Sequence, residues 1–113
     1  MYYTKNISLR LLRPYQVEKE ILLNENSLLL DSIISSGIIS RNFITEPDKA
    51  EPGDKYIISG EAQGIWADKT NAIAVRLEGN WAIIDPKEGM LFWVIEEKKL
   101  IVFSEGNWQV LLG

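Results

Sequence analysis

Ile7, Leu9 and Leu11 alternate with Ser8 and Arg10 ahead of Pro14. Alternation with period two is the signature of a strand, and proline ends it. Residues 1–13 therefore read as a strand or an extended N-terminal arm. A different pattern starts at Pro14. From there to Ser36 the chain has no internal proline or glycine, and Gly37 stands where a helix C-terminal cap belongs. This predicts one substantial helix over residues 14–37. Its apolar positions are Val17, Ile21, Leu22, Leu23, Leu28, Leu29, Leu30, Ile33 and Ile34. They cover more of the circumference than a single core-facing stripe needs. The excess calls for a second partner, either the N-terminal arm or another subunit. Ile21, Leu22, Leu28, Leu29 and Ile33 are the candidate residues of such an oligomer helix.

Beyond the helix the period changes. Pro47, Pro52 and Gly53 mark turns, and Lys55 to Ser59 starts a strand. "NAIAVRLEGNWAIID" reads as two strands around a two-residue turn. "LFWVIEEKKLIVF" reads as two strands around Glu96 to Lys99, and "LIVFSEGNWQVLL" as a further hairpin sharing its first strand with the one before. One helix followed by an antiparallel meander of about six strands over 55–112 is an α+β domain.

The meander contains a twinned stretch. "EGNW" occurs as Glu78–Trp81 and again as Glu105–Trp108. Sliding Gly64–Ile84 onto Leu91–Leu111 also places Trp66 on Trp93 and Val75 on Val102, with Ile73, Ile83 and Ile84 on Leu100, Val110 and Leu111. The alignment predicts two copies of one three-strand unit, 64–84 and 91–111, each running Trp strand, strand, Gly-Asn turn, Trp strand. A Gly-Asn turn of type II′ pairs Glu78 with Trp81, Arg76 with Ile83 and Val75 with Ile84. Trp81 then shares a face with Glu78 and Arg76 and is partly exposed. Trp108 shares its face with Glu105, Phe103 and Ile101 and is more buried.

Composition narrows the chemistry. A chain of 113 residues with 46% hydrophobic and 25% charged residues is the size and make-up of one globular domain, residues 1–113. The net charge is −4, and basic residues do not cluster beyond Lys98-Lys99, so nucleic acid is not an expected partner. With neither cysteine nor histidine, thiolate sites and histidine general bases are excluded. No apolar run reaches the roughly 20 residues of a membrane helix, and "MYYTKNISLRLL" lacks the layout of a secretory signal.

Carboxylates are plentiful, but most fall at turns, where they are solvated; a glycosidase needs two that converge, one with its pKa raised by burial. No acidic loop has calcium-ligand spacing. "GEAQG" (Gly60–Gly64) lacks the lysine and hydroxyl residue of a phosphate loop and does not open a helix. No catalytic, cofactor or metal residue is expected. The four tryptophans serve first as packing residues. Trp66 and Trp81, flanked by polar residues, are the two expected to reach a ligand. With Arg76 and Glu78 they form the candidate contact set.

The ordered features resemble an uncharacterised domain family of tailed-phage, prophage and gene-transfer-agent proteins of alphaproteobacteria. The resemblance is carried by Gln16, Lys19, Asn24-Glu25 and Asp31, then "PGDKYII" (Pro52–Ile58), then Gly60, Ala62, Gly64, Trp66-Ala67 and Ile73-Ala74. It continues through Gly79 and Trp81, Pro86, Gly89, Trp93-Val94, and Gly106 with Trp108. It covers residues 14–108 and departs from the family pattern at Asn26 and Ser27. Members sit within fibre or spike proteins, so the resemblance implies a non-enzymatic structural or attachment module of a phage-like particle. A self-associating chain, a trimer suiting a spike, would then contact other particle proteins or cell-surface polysaccharide. It would be located in the virion or particle, or otherwise in the bacterial cytoplasm. A carbohydrate-binding module using exposed tryptophans and a small carboxylate-dependent hydrolase are the alternatives.

Overall fold

The computed structural model describes residues 3–6, 9–12, 18–34 and 36–112, without the side chains of Ser32, Ile33 and Leu112. The fold is α+β: helix α1 (Lys19–Ile34) precedes seven strands, β1 (Gly37–Ile38), β2 (Lys55–Ile57), β3 (Ile73–Arg76), β4 (Trp81–Ile84), β5 (Leu91–Val94), β6 (Lys99–Ser104) and β7 (Asn107–Leu112). They form two sheets, ordered β1-β5-β6-β7 and β2-β3-β4. The hairpins expected from the alternating pattern are all present, β3–β4, β5–β6 and β6–β7. The single meander is not, because β4 and β5 belong to different sheets.

Residues 36–40 join the two sheets. Ser36, Ile38 and Ile39 accept backbone hydrogen bonds from Trp93, Ile95 and Glu96, and β1 runs parallel to β5. On the other side, Ile39 donates to Lys55 and Ser40 accepts from Ile57. Gly37, expected to cap the helix, is a strand residue here. A Cβ on it would lie 3.2 Å from Ile95 Cδ1, a tight contact that the Ile95 side chain would have to yield to.

Strand alternation then sorts the side chains. One face of the β2-β3-β4 sheet carries Ile57, Ile73, Val75 and Ile84, which pack with Ile38, Phe92, Val94 and Ile101 into the main core. The opposite face carries Tyr56, Ile58, Ala72 and Ala74, which form a second core with Trp66. Leu28 and Leu29 dock α1 on the main core, and Leu22 is buried.

The N-terminal arm folds back on itself. Tyr3 bridges Arg10, and Thr4 donates to the Leu9 carbonyl at 2.7 Å. It is held to α1 by Asn26, whose carboxamide donates to the Arg10 carbonyl at 2.6 Å and accepts from the Arg10 N–H at 3.2 Å. The alternating Ile7 and Ser8, the residues 14–17 expected to open the helix, and Ser35 near its end lie outside the described residues.

The twinned stretch needs two corrections. Both hairpins turn at Glu-Gly, not at Gly-Asn. Leu77 N–H donates to the Asn80 carbonyl at 2.8 Å around Glu78-Gly79, and Ser104 faces Asn107 around Glu105-Gly106. Glycine takes the second central position, so Arg76 pairs with Trp81, Val75 with Ala82 and Phe103 with Trp108. The slip is two residues, so the face of each tryptophan is kept. The first arm of the proposed unit also fails to repeat: Trp93 is on strand β5, whereas Trp66 closes a 3₁₀ turn, Gly64–Trp66.

Candidate functional site

Five chain segments meet at a cleft of about 290 Å³ along the seam between the sheets. One wall follows β1 in sequence. Arg41 sets a two-pronged guanidinium on Glu97 in the β5–β6 turn, with Nε and Nη2 each 2.8 Å from a carboxylate oxygen. These bonds, and after them the charges of Arg41 and Lys99, hold Glu97 below the ordinary glutamate value against a desolvation effect that opposes them. The Arg41 guanidinium is raised in turn, chiefly by the same hydrogen bonds. Beside it Ser40 Oγ and Asn42 Nδ2 both donate to Glu96 Oε1, at 3.0 and 2.9 Å. The two neighbouring glutamates of one turn thus anchor three residues of the linking segment.

The opposite wall is Asn71, at the entry to β3, with the start of β7. Asn71 has φ of 72°, a left-handed conformation that asparagine tolerates better than most residues. Its backbone carbonyl accepts from Trp108 Nε1 at 2.9 Å, and its side chain donates to the Gly106 carbonyl at 3.3 Å. Ser59 and Asn107 complete the rim. Ser59 Oγ accepts from the Glu61 N–H at 3.1 Å, which leaves its proton to donate elsewhere.

The candidate contact set lies elsewhere and is only partly a surface. Trp66 and Trp81 meet edge to face, with ring centroids 5.3 Å apart, and Tyr56 lies 5.9 Å from Trp81 and 6.4 Å from Trp66. Arg76 sits over Trp81, its Cζ 5.4 Å from the ring centroid. Glu78 is exposed at the β3–β4 turn and does not join them. Trp66 is fully buried, so it cannot stack on a ligand. Its polar neighbours suggested exposure, but the 3₁₀ turn aims the indole inward while Ile65 faces solvent. Trp81 and Trp108 are both half-buried, so the expected contrast between them is absent. The exposed tryptophan is Trp93, at 41%.

The candidate oligomer helix also divides. Leu22 is buried, Leu28 and Leu29 are half-buried against the chain's own core, and Ile21 is exposed. The side chain of Ile33 lies outside the described residues. Leu23, Leu30 and Ile34 are exposed as well, and they fall within about 40° of one another on the helix wheel. They make a second apolar stripe on the side away from the core.

None of the cleft residues at 41, 42, 59, 71 and 107 is among the contact residues that the sequence pattern predicts. These positions share no spacing, and only the Asn71 conformation and the sheet order bring them together.

A family profile matches residues 23–109, and the chain belongs to that family, described as "Protein of unknown function (DUF2793)". No curated protein matches the chain. The matched span takes in every strand but the end of β7, and every cleft-lining residue named above.

Proposed function

We propose that this chain is a non-enzymatic structural or attachment module of a phage-like particle, associating with copies of itself through the outer face of α1. The observation that carries the reading is the second apolar stripe. A helix needs one apolar face to dock on its domain. Here Leu28 and Leu29 serve that purpose and Leu22 is buried, while Leu23, Leu30 and Ile34 present a further face to solvent. Exposed apolar residues grouped on one helix face are the kind of surface that protein–protein contact covers. The resemblance of the ordered sequence features to domains of fibre and spike proteins supplies the particle context.

Two measurements test the two halves. Light scattering on the purified chain should give a closed oligomer, and Leu30→Asp should reduce it to monomer without loss of helix signal. A monomer at about millimolar concentration removes the helix as an association surface. Mass spectrometry of particles purified from the organism carrying the gene should find the chain in the particle fraction. Its recovery only in the soluble cell fraction removes the particle role.

A further inference from the structure

The seam cleft has its own chemistry, separate from the helix stripe and independent of any particle. Its charged lining residues cancel: Arg41 and Glu97 are forked onto each other at 2.8 Å, with both side chains about three-quarters or more shielded from solvent. An anion would find no uncompensated positive charge there, would lose hydration on entering, and would be repelled by Glu96 beside Asn42. The remaining polar groups are neutral. Asn107 makes no side-chain hydrogen bond to any described residue, so its amide offers both donors and acceptors. Asn42 Nδ2 is committed to Glu96, which leaves the Asn42 carbonyl oxygen as an acceptor. Ser59 has a hydroxyl proton to give. Donors and acceptors are thus interleaved at side-chain tips around one opening.

Trp108 lines the cleft, but its ring already packs against Phe92 and Phe103, with centroids 5.8 and 5.2 Å away. Its Nε1 is spent on Asn71. The indole is thus committed to the fold, which leaves the neutral polar side chains as the contact groups of the cleft. A ligand that bonds through many hydroxyls, each both donor and acceptor, matches this lining. The volume of about 290 Å³ is at the small end of ligand pockets, which run from roughly 300 to 1,000 Å³.

We infer that the seam cleft binds a neutral saccharide of one or two rings, held by the Asn42 amide oxygen, the Asn107 amide and the Ser59 hydroxyl, with Trp108 at its edge. The test is a nitrogen–proton correlation spectrum of the whole chain, titrated with neutral mono- and disaccharides and with a uronic acid. The Trp108 indole and the Asn107 side-chain amide should shift saturably with a neutral sugar below about 20 mM and respond less to the uronate. Asn107→Ala, which breaks no bond to a described residue, should weaken binding by about fivefold or more with the rest of the spectrum unmoved. Absence of saturable shifts at Trp108 and Asn107 across the panel overturns the inference. So does tighter binding of the uronate, or a response confined to the exposed Trp93.

Discussion

The indole of Trp108 donates to the backbone carbonyl of Asn71 across the seam between the sheets, and the Asn71 side chain returns a bond to the Gly106 carbonyl. One residue of the loop leading into β3 is thereby fixed to both the turn and the first strand residues of the β6–β7 hairpin. The bond holds Asn71 in its left-handed conformation and so shapes one wall of the cleft.

Trp108→Phe removes that donor and keeps one ring against Phe92 and Phe103, so its cost combines the lost bond with the packing of the lost ring. A part-buried carbonyl left without its donor costs about 1–3 kcal/mol. Urea denaturation should show a loss of at least that size with an unchanged slope. A loss too small to measure would mean that solvent replaces the indole and that the seam does not depend on it.

The Arg41–Glu97 pair gives a pH signature with a definite sign. Glu97 has a folded pKa below its unfolded one, so its contribution is complete above the ordinary glutamate value of 4.5 and is lost as pH falls through the lower folded value. The pair is partly solvated, so its worth is about 1 kcal/mol. Arg41→Ala should therefore be less stable than the parent by about that amount near neutral pH, and the gap should close in acid. A gap that stays constant from neutral pH down to about pH 3 would show that Arg41 acts by packing alone.

The two Glu-Gly turns share a register but not a backbone. Only Gly79 has positive φ in the first, whereas Glu105 (54°) and Gly106 (82°) both do in the second, the pattern of a type I′ turn. Glu88 explains the difference. Its carboxylate accepts from Ser104 Oγ at 2.7 Å and from the Glu105 N–H at 3.1 Å, pinning the second turn from outside. Asparagine is much better than glutamate at the first position of a type I′ turn. Glu105→Asn should stabilise the protein by about 0.5–1 kcal/mol, and Glu78→Asn should leave it within about 0.5 kcal/mol. Equal effects at the two sites would mean that the turns are alike in solution.

What the sequence made legible follows from period and distance. The alternation around Val75, Ile84, Ile101 and Val110 was enough to read each hairpin, because both strands of a hairpin are close in sequence. Register was two residues out because glycine serves at either central turn position, and only the conformation of the residue before it decides. Strand β1 was invisible: it is two residues long, and its partner is Trp93, far along the chain. Trp66 was misread because the polar flanks of a 3₁₀ turn resemble those of an exposed strand. The cleft was unreadable for a related reason: Arg41, Ser59, Asn71 and Asn107 come from four segments that only the folded sheets assemble.

Trp66 itself allows the sharpest test of the second core. Its side chain is fully buried between Tyr56 and Trp81, yet its Nε1 makes no hydrogen bond to any described residue. A buried donor left unpaired costs about 1–3 kcal/mol. Phenylalanine would relieve that cost while surrendering one ring of packing against Trp81. The two effects oppose each other, so Trp66→Phe should change stability by no more than about 1 kcal/mol, against a loss of about 3–5 kcal/mol for Trp66→Ala, which forfeits the ring altogether. Denaturant midpoints of the two variants supply the comparison. If Trp66→Phe costs as much as Trp66→Ala, the indole N–H has a partner in solution and the second core is held by a hydrogen bond as well as by ring packing.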